Sequence, residues 1–179
     1  MSRIHTQLKG DISKTKMALG YILAMPRTAQ IYYGTEILMA DFEKPGDHGL
    51  IRSDFPGGWS GDKVNAFTGE GLSSNQKEMQ SFLKKVLNYR KSSNAIHKGK
   101  TVHFAPKSGV YVLFRSLGDE VVTIIINKSD TSLLPTDDYQ EVGLNGKTVK
   151  NIISGKEMLW NDKIHVNPNG ITLFTTKLK

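Results

Sequence analysis

The sequence QIYYGTE at residues 30–36 is a run of aromatic and β-branched residues closed by a glycine. Such a run predicts a buried β-strand, over residues 28–33, that delivers the chain to a surface. From residue 37 to residue 73 no sustained helical or alternating pattern of apolar residues follows. A connection of this length inside a compact domain is usually either disordered or functional. Apolar residues that can anchor it favour a functional loop, and they are Leu50, Ile51, Phe55, Trp59, Val64 and Phe67.

A helix is predicted before this strand, over residues 14–25. Asp11 or Ser13 can cap its first turn, and Pro26 ends it. Its apolar face is formed by side chains at helical spacing, namely Met17, Tyr21 and Ala24. The predicted order is therefore helix, strand and long loop.

A second helix is predicted after the loop and ends near residues 92–94. It begins at Ser74 or Asn75, and Glu78 lies three residues beyond Asn75, which is the spacing of a capping box. Apolar residues recur on one face of this helix, at Met79, Phe82, Leu83, Val86 and Leu87. The pattern is typical of a helix that packs one face on a core.

After residue 95 the sequence becomes rich in short β-prone runs separated by turn residues. Strands at intervals of about ten residues predict an antiparallel sandwich. The run at 121–126 is apolar on both faces, so we expect it in the middle of a sheet. The predicted strands cover residues 101–105, 110–115, 121–127, 148–153, 163–166 and 171–176.

The composition excludes several classes of protein. The chain has no cysteine, which excludes disulfides, thiol nucleophiles and thiolate metal sites. No apolar run approaches the roughly 20 residues that span a bilayer, so we expect a soluble protein with no membrane partner. Residues 1–7 carry no signal-peptide pattern, and the compartment stays open between cytoplasm and periplasm. The net charge of +7 is scattered and not interleaved with aromatic residues, so we expect no nucleic-acid partner.

Three segments together resemble a known family. They are residues 30–36, the sequence IRSDFPGGW at 51–59 and the sequence DKVNAFT at 62–68. These segments resemble the end of the catalytic barrel in the α-amylase superfamily of glycoside hydrolases, and in particular its neopullulanase and cyclomaltodextrinase branch. The resemblance is specific between residues 30 and 68 and continues downstream as a pattern of strands.

The first part of the chain is predicted to be an incomplete layer. A single strand between two helices leaves backbone donors and acceptors that need strands on both sides. A (β/α)₈ barrel takes about 250 residues, so residues 1–94 match only its last helix, strand, loop and helix. The predicted fold class is α+β and multidomain, with a terminal (β/α)₈ TIM-barrel fragment in residues 1–94 and an all-β antiparallel sandwich in residues 95–179.

The resemblance implies a retaining enzyme that hydrolyses α-1,4 bonds in starch, pullulan or cyclodextrin-type glucans. It also implies that the three catalytic carboxylates precede the matched segments, and that Arg3 is the arginine that often follows the family's Asn-His-Asp motif. Met1 would then be an internal methionine of a longer enzyme. The partner of the chain would be the missing N-terminal barrel portion or another copy of the chain.

Chemical reasoning independently argues against catalysis by this chain alone. Glycoside hydrolysis needs two carboxylates on opposite sides of the scissile bond, and barrel enzymes draw such groups from several strands. The acids near the predicted strand all lie at one strand end or in its loop, at Glu36, Asp41, Glu43, Asp47 and Asp54. We therefore expect no catalytic residue in the chain and no turnover by the chain alone. The resemblance implies that the longer parent protein is a retaining glycosidase of the α-amylase type.

Four residues are candidates for binding the glucan. The resemblance aligns Arg52 with a position whose guanidinium reaches substrate hydroxyls or a neighbouring acid, and Asp47 with that acid. The alternative is an ion pair that orders the loop. Glu36 follows the predicted strand and could contact sugar or accept hydrogen bonds from the loop. Trp59 could stack on a glucose ring, although a tryptophan after Pro-Gly-Gly more often anchors its loop to the core.

Metal and cofactor sites are not expected. The five histidines share no element at ligand spacing, and no calcium-loop spacing of acids is present. An alternative function is a non-catalytic carbohydrate-binding or structural sandwich domain. Carbohydrate binding by the sandwich would require exposed aromatic residues on one sheet face, with Tyr111, Phe114, Tyr139 and Trp160 as the candidates.

Overall fold

The computed structural model describes residues 2–40 and 49–178, and the chain divides into two compact units. The first unit comprises Met1–Lys16 and Gln30–Lys84, and the second comprises Met17–Ala29 and Lys85–Lys179. Helices α1 (Ile4–Gln7) and α2 (Ile12–Ala24) open the chain. The loop contains two 3₁₀ turns, at Thr35–Ile37 and Leu50–Arg52.

The two predicted long helices are present. In α2 a carboxylate oxygen of Asp11 accepts a hydrogen bond from the Lys14 backbone N–H at 3.0 Å, so Asp11 rather than Ser13 caps the first turn. The second predicted helix is α3 (Ser74–Ser92). Four of its five predicted apolar residues are buried, at Met79, Phe82, Leu83 and Val86, whereas Leu87 is exposed.

The capping box of α3 lies two residues earlier than the sequence pattern indicated. The Gln76 N–H donates to the Ser73 hydroxyl oxygen at 3.3 Å, and the Ser73 N–H donates to the Gln76 side-chain oxygen at 2.9 Å. The prediction that Asn75 and Glu78 form the box was wrong. A serine hydroxyl and a glutamine three residues on satisfy the same two backbone donors equally well.

The predicted buried strand at residues 28–33 is not formed. These residues have no strand hydrogen bonding, and Tyr32 and Tyr33 are 47% and 39% exposed. Within the described residues, all strands lie between Lys100 and Thr175. The apolar run therefore has no neighbouring strand to pair with, and local β-propensity alone does not produce a strand.

The second unit contains the predicted antiparallel sandwich. After the short helix α4 (Asn94–Lys98), a six-stranded sheet has the order β1-β2-β3-β8-β5-β6 and a two-stranded sheet pairs β4 with β7. The strands are β1 Lys100–His103, β2 Val110–Leu117, β3 Glu120–Asn127, β4 Leu133–Pro135, β5 Thr148–Asn151, β6 Glu157–Leu159, β7 Lys163–His165 and β8 Gly170–Thr175.

The position of β3 confirms that the doubly apolar run is internal to a sheet. It pairs with β2 on one side and β8 on the other, and Val122, Ile124 and Ile125 are fully buried. All six predicted strands are present. The two strands that the sequence pattern missed, β4 and β6, have three residues each, too few to show an alternating pattern.

Three of the four aromatic candidates for sugar binding by the sandwich are core residues. Phe114, Tyr139 and Trp160 are 1%, 5% and 2% exposed. Phe114 lies within 5.9 Å of Tyr139 and 6.1 Å of Trp160, measured between ring centroids. Tyr111 is half-buried and lies 6.4 Å from Tyr21. The three buried rings belong to the apolar core of the sandwich and do not form the exposed aromatic face that carbohydrate binding by the sandwich would require.

Glu120, the first residue of β3, joins the sheet to the helices of the second unit. Its carboxylate accepts hydrogen bonds from the Tyr89 hydroxyl at 2.9 Å, the Ser93 hydroxyl at 2.6 Å and the Ala95 backbone N–H at 3.2 Å. Burial by itself would raise the pKa of Glu120, but these three donors outweigh it and hold the pKa below its ordinary value. The ionised carboxylate therefore stabilises the folded state.

We predict that Glu120→Gln destabilises the chain in a pH-dependent way. Because the folded-state pKa is depressed, the stabilisation is complete above the ordinary pKa and is lost as the pH falls through the folded-state pKa. The variant should lose about 1–2 kcal/mol of unfolding free energy at neutral pH and little at strongly acidic pH. Urea unfolding at several pH values measures this difference, with Asp119→Asn as the matched control. A loss that is equal at all pH values would contradict the prediction.

Candidate functional site

The part of the loop after the second 3₁₀ turn, from residue 53 to residue 73, is ordered by its own polar side chains. Asp62 accepts hydrogen bonds from the backbone N–H groups of Gly57, at 2.7 Å, and Trp59, at 3.1 Å. The side-chain oxygen of Asn65 accepts from the N–H groups of Phe67, at 3.0 Å, and Thr68, at 3.1 Å. These two side chains supply the acceptors that a strand or helix would otherwise provide.

Backbone contacts close the same loop into a compact shape. The Asn65 N–H donates to the Glu70 carbonyl at 2.8 Å, and the Ala66 N–H donates to the Pro56 carbonyl at 3.1 Å. Gly57 has a φ of +101°, and a Cβ there would lie 2.6 Å from the Asn65 side-chain oxygen. A glycine is therefore required where the PGG turn passes Asn65.

A small apolar cluster fixes the loop within the first unit. Ile37, Ala66 and Leu72 are buried, and Met39, Phe55 and Val64 pack against them. Of the predicted loop anchors, Ile51 is also buried. The side chains of Trp59 and Phe67 are 69% and 74% exposed, so the expectation that they anchor the loop was wrong.

Arg3 binds the aromatic pair that precedes the loop. One of its guanidinium nitrogens donates to the Tyr33 carbonyl at 2.5 Å. The guanidinium carbon lies 4.9 Å from the ring centre of Tyr32 and 4.8 Å from that of Tyr33, which is cation–π geometry. The family offset pointed to Arg3, but no local pattern in the sequence predicted its contact with the two tyrosines.

Tyr33 in turn contacts the segment that carries Arg52. Its hydroxyl donates to the Ser53 carbonyl at 2.9 Å. This bond joins the sequence at 30–36 to that at 51–59, the two segments that carry the family resemblance. Arg3, Tyr33 and Ser53 thus form one continuous chain of contacts in the first unit.

The predicted site residues occupy three separate places in the first unit. Glu36 is half-buried in the turn Thr35–Ile37, Arg52 is exposed at the end of the turn Leu50–Arg52, and Trp59 is exposed in the loop. In the described residues no ion pair or hydrogen bond joins Glu36 to Arg52. Asp47 lies outside the described residues.

The described ranges, 2–40 and 49–178, offer neither a metal site nor a membrane span. They contain no group of three or more histidine, aspartate or glutamate residues that could hold a metal ion. No helix in those ranges is long and apolar enough to cross a bilayer.

The sandwich matches a model of a known protein domain. The model is described as the cyclo-malto-dextrinase C-terminal domain, and it matches residues 101–175. This match extends from β1 to the end of β8. It does not include the loop that carries Arg52 and Trp59.

Known proteins that resemble the chain are glucan-active enzymes. A cyclomaltodextrin glucanotransferase from Geobacillus stearothermophilus is 28% identical over 132 residues, which is 69% of this chain and 15% of that enzyme. The structure of the α-amylase from Geobacillus thermoleovorans, solved with acarbose, has a TM-score of 0.61 to this chain at 21% identity. The match covers 92% of this chain and 33% of the α-amylase. CldA, a cyclomaltodextrin glucanotransferase with a three-domain ABC distribution, has a TM-score of 0.66 at 19% identity over 98% of this chain and 34% of its own.

The two solved structures establish a shared fold. The chain spans 15% of the curated relative and about a third of the solved structures.

We predict that Asp62→Ala loosens the loop without unfolding the chain. The variant leaves the Gly57 and Trp59 N–H groups without their acceptor, and their exchange with solvent should become about tenfold faster. Amide hydrogen exchange followed by NMR measures this, with Lys63→Ala as a neighbouring exposed control. Asp62→Asn keeps one acceptor oxygen and should have a smaller effect. Unchanged exchange at both amides in the alanine variant would show that Asp62 does not order the loop.

Proposed function

We propose that the chain is the C-terminal part of an α-amylase-family glycoside hydrolase, and that it supplies glucan contacts but no catalytic carboxylate. The substrate class would be α-1,4-linked glucan of the starch, pullulan or cyclodextrin type, and the reaction of the complete enzyme would be retaining hydrolysis. The relatives support this substrate class, because the curated one is a cyclomaltodextrin glucanotransferase and one solved structure holds acarbose.

The observation that carries the proposal is the exposed Trp59 on an ordered loop. Trp59 is 69% exposed, so most of its indole faces solvent. A ligand that covers the ring would remove this apolar surface from water. The backbone N–H of the same residue is held by Asp62 at 3.1 Å, so the indole is presented from a fixed point. An ordered backbone at this position limits the conformational freedom that is lost on binding, and one face of a glucose ring is apolar enough to stack on an indole.

Arg52 is proposed as the hydrogen-bonding partner in this site. Its side chain is exposed and lies one residue from Ser53, whose carbonyl is held by Tyr33 at 2.9 Å. A guanidinium has five donors and no acceptor, which suits the oxygen atoms of sugar hydroxyls. From the family resemblance we propose Asp47 as the acidic partner of Arg52 and Glu36 as a further polar contact to the glucan.

The absence of turnover follows from where the acids of this loop lie. Hydrolysis needs an acid on each side of the scissile bond. Between the predicted strand and the tight turn at Gly57, the acids in the described residues are Glu36 and Asp54. Both belong to the one segment that follows the predicted strand. We propose that the catalytic acids belong to a preceding barrel portion, with residues 1–94 of this chain as the barrel's last part and residues 95–179 as the sandwich domain.

A missing barrel portion would also explain the unpaired apolar run. Residues 28–33 have strand-forming composition and exposed tyrosines but no strand partner in the described chain. We propose that this run becomes a strand when neighbours are present, either from the N-terminal barrel portion or from another copy of the chain. The alternative of a carbohydrate-binding sandwich does not find its aromatic face in Phe114, Tyr139 and Trp160, which are buried, whereas a structural role of the sandwich requires no such face.

We predict that the chain binds maltoheptaose at the loop and releases no reducing ends from it. The chain has two tryptophans, and Trp160 is buried, so its indole N–H signal is an internal reference for that of Trp59. Maltoheptaose should shift the Trp59 signal selectively, and Arg52→Ala should weaken the binding about tenfold. Lys63→Ala is the matched control. Measurable hydrolysis would contradict the absence of catalytic groups, and an unmoved Trp59 signal would contradict the proposed contact.

A further inference from the structure

A cleft of about 390 Å³ opens in the sandwich, away from the loop that carries Trp59 in sequence and in structural unit. One wall is the turn between β1 and β2, at Lys107 and Ser108, and the other is β4 with the 3₁₀ helix Asp137–Val142. The volume lies within the range of small-ligand sites. It leaves room for a ligand of one or two sugar rings.

Tyr139 is the most informative residue of this cleft. It is 5% exposed, yet its hydroxyl makes no hydrogen bond to any residue that the structure describes. The Tyr139 hydroxyl oxygen is not among the fully enclosed side-chain polar atoms that lack a partner in the described residues, so solvent reaches it from the cleft. A ligand hydroxyl in the cleft can take the place of that water as its hydrogen-bond partner.

The ring of Tyr139 is fixed in place by its neighbours. Phe104 lies 4.9 Å from it at an interplanar angle of 83°, and Phe114 lies 5.9 Å from it, both measured between ring centroids. The hydroxyl is therefore held at one position in the cleft. Burial raises the pKa of Tyr139, with a smaller contribution from Asp138, so the hydroxyl remains a neutral donor at physiological pH.

The charges of the cleft cancel each other. Lys107 and Asp138, the charged residues that line it, form an ion pair with 2.7 Å between Nζ and Oδ2. A neutral ligand suits such a site better than an anion or a cation, since neither charge is left uncompensated. Both side chains are more than half exposed, so the pair can also exchange hydrogen bonds with ligand hydroxyls.

The remaining surface of the cleft combines apolar and hydroxyl groups. Leu133 is 43% exposed and, with the buried Val110 and Leu134, forms an apolar wall. Ser129 and Thr131 add hydroxyl oxygens that can accept hydrogen bonds. Apolar contact combined with several hydroxyl partners is what a sugar ring requires.

The walls are rigid before any ligand binds. Lys107 and Val110 exchange two backbone hydrogen bonds of 2.9 Å each, and the Lys128 N–H donates to the Gly109 carbonyl at 2.9 Å. Thr131 donates through its hydroxyl to the Leu133 carbonyl at 2.9 Å. A preformed site of this kind loses little conformational freedom on binding.

We propose that this cleft of the sandwich is a second binding site for neutral carbohydrate, which takes one or two glucosyl units with the Tyr139 hydroxyl as the central hydrogen-bonding group. The choice of an α-glucan as the sugar rests on the proposed function, whereas the preference for a neutral polyhydroxy ligand rests on the cleft itself. The site would hold a glucan chain to the sandwich without contributing to catalysis.

The test is a residue-resolved titration of the ¹⁵N-labelled full chain with maltotriose and, in parallel, with the β-linked cellotriose. The cleft predicts that maltotriose shifts the amide signals of Lys107, Ser129 and Leu133 and that Tyr139→Phe weakens this binding about tenfold. The variant should fold normally, because the hydroxyl makes no hydrogen bond within the described chain. Tyr111→Phe, the same change at a half-buried tyrosine of β2 outside the cleft, is the matched control.

The outcomes separate this inference from the proposed function. Chemical-shift changes confined to Arg52 and Trp59 would contradict the cleft proposal and leave the loop proposal standing. Shifts in the cleft alone, weakened by Tyr139→Phe, would support the cleft and contradict the loop proposal. The proposed cleft site would be overturned if both sugars shifted the cleft signals equally and Tyr139→Phe did not weaken the effect. It would also be overturned if maltotriose caused no shift in the cleft up to its solubility limit.

Discussion

Backbone hydrogen bonding is the constraint on which the rest of this structure depends. In the sandwich the strands satisfy one another, and β3 is paired along both of its edges. In the loop the side chains of Asp62 and Asn65 take over as acceptors. At residues 28–33 neither solution is present, and the chain forms no strand despite its composition. The same amino-acid chemistry thus gives three outcomes that depend on which acceptors are within reach.

In the proposed function the same constraint separates ligand binding from catalysis. A loop that orders itself through Asp62 does not need Trp59 as an anchor, so the indole is exposed and open to a ligand. Catalysis by two opposed acids cannot be assembled in the same way, because it needs groups from elements on both sides of the substrate. The proposed cleft site likewise depends on a fixed side chain, because the Tyr139 hydroxyl has no hydrogen bond to a described residue and is available to a ligand.

The parts of the fold that the sequence predicted are those set by local periodicity. The apolar spacing in α3 and the six longer runs of the sandwich each fix an element within a few residues. The capping box was misplaced because two overlapping pairs, Ser73 with Gln76 and Asn75 with Glu78, have the same spacing. The strands β4 and β6 were missed because three residues carry too little pattern to recognise.

The remaining features depend on contacts between distant residues. The run at residues 30–33 has the composition of a strand, but only a neighbouring strand could make it one. Trp59 follows Pro-Gly-Gly, as an anchoring tryptophan would, yet its side chain is exposed, and Asp62, three residues further on, holds its backbone N–H. The burial of Phe114 and Trp160 depends on the pairing of two sheets, and nothing local marks Tyr139 as a buried tyrosine with a free hydroxyl.

The central claim is that residues 28–33 form a strand only when neighbouring strands are supplied. Amide hydrogen exchange of the isolated, monomeric chain tests it most directly, by comparing Ile31, Tyr32 and Tyr33 with Ile124 and Ile125 of β3. We predict exchange close to the rate of an unstructured peptide at the first three amides and strong protection at the last two. Protection of Ile31, Tyr32 and Tyr33 as strong as that of β3 would contradict it.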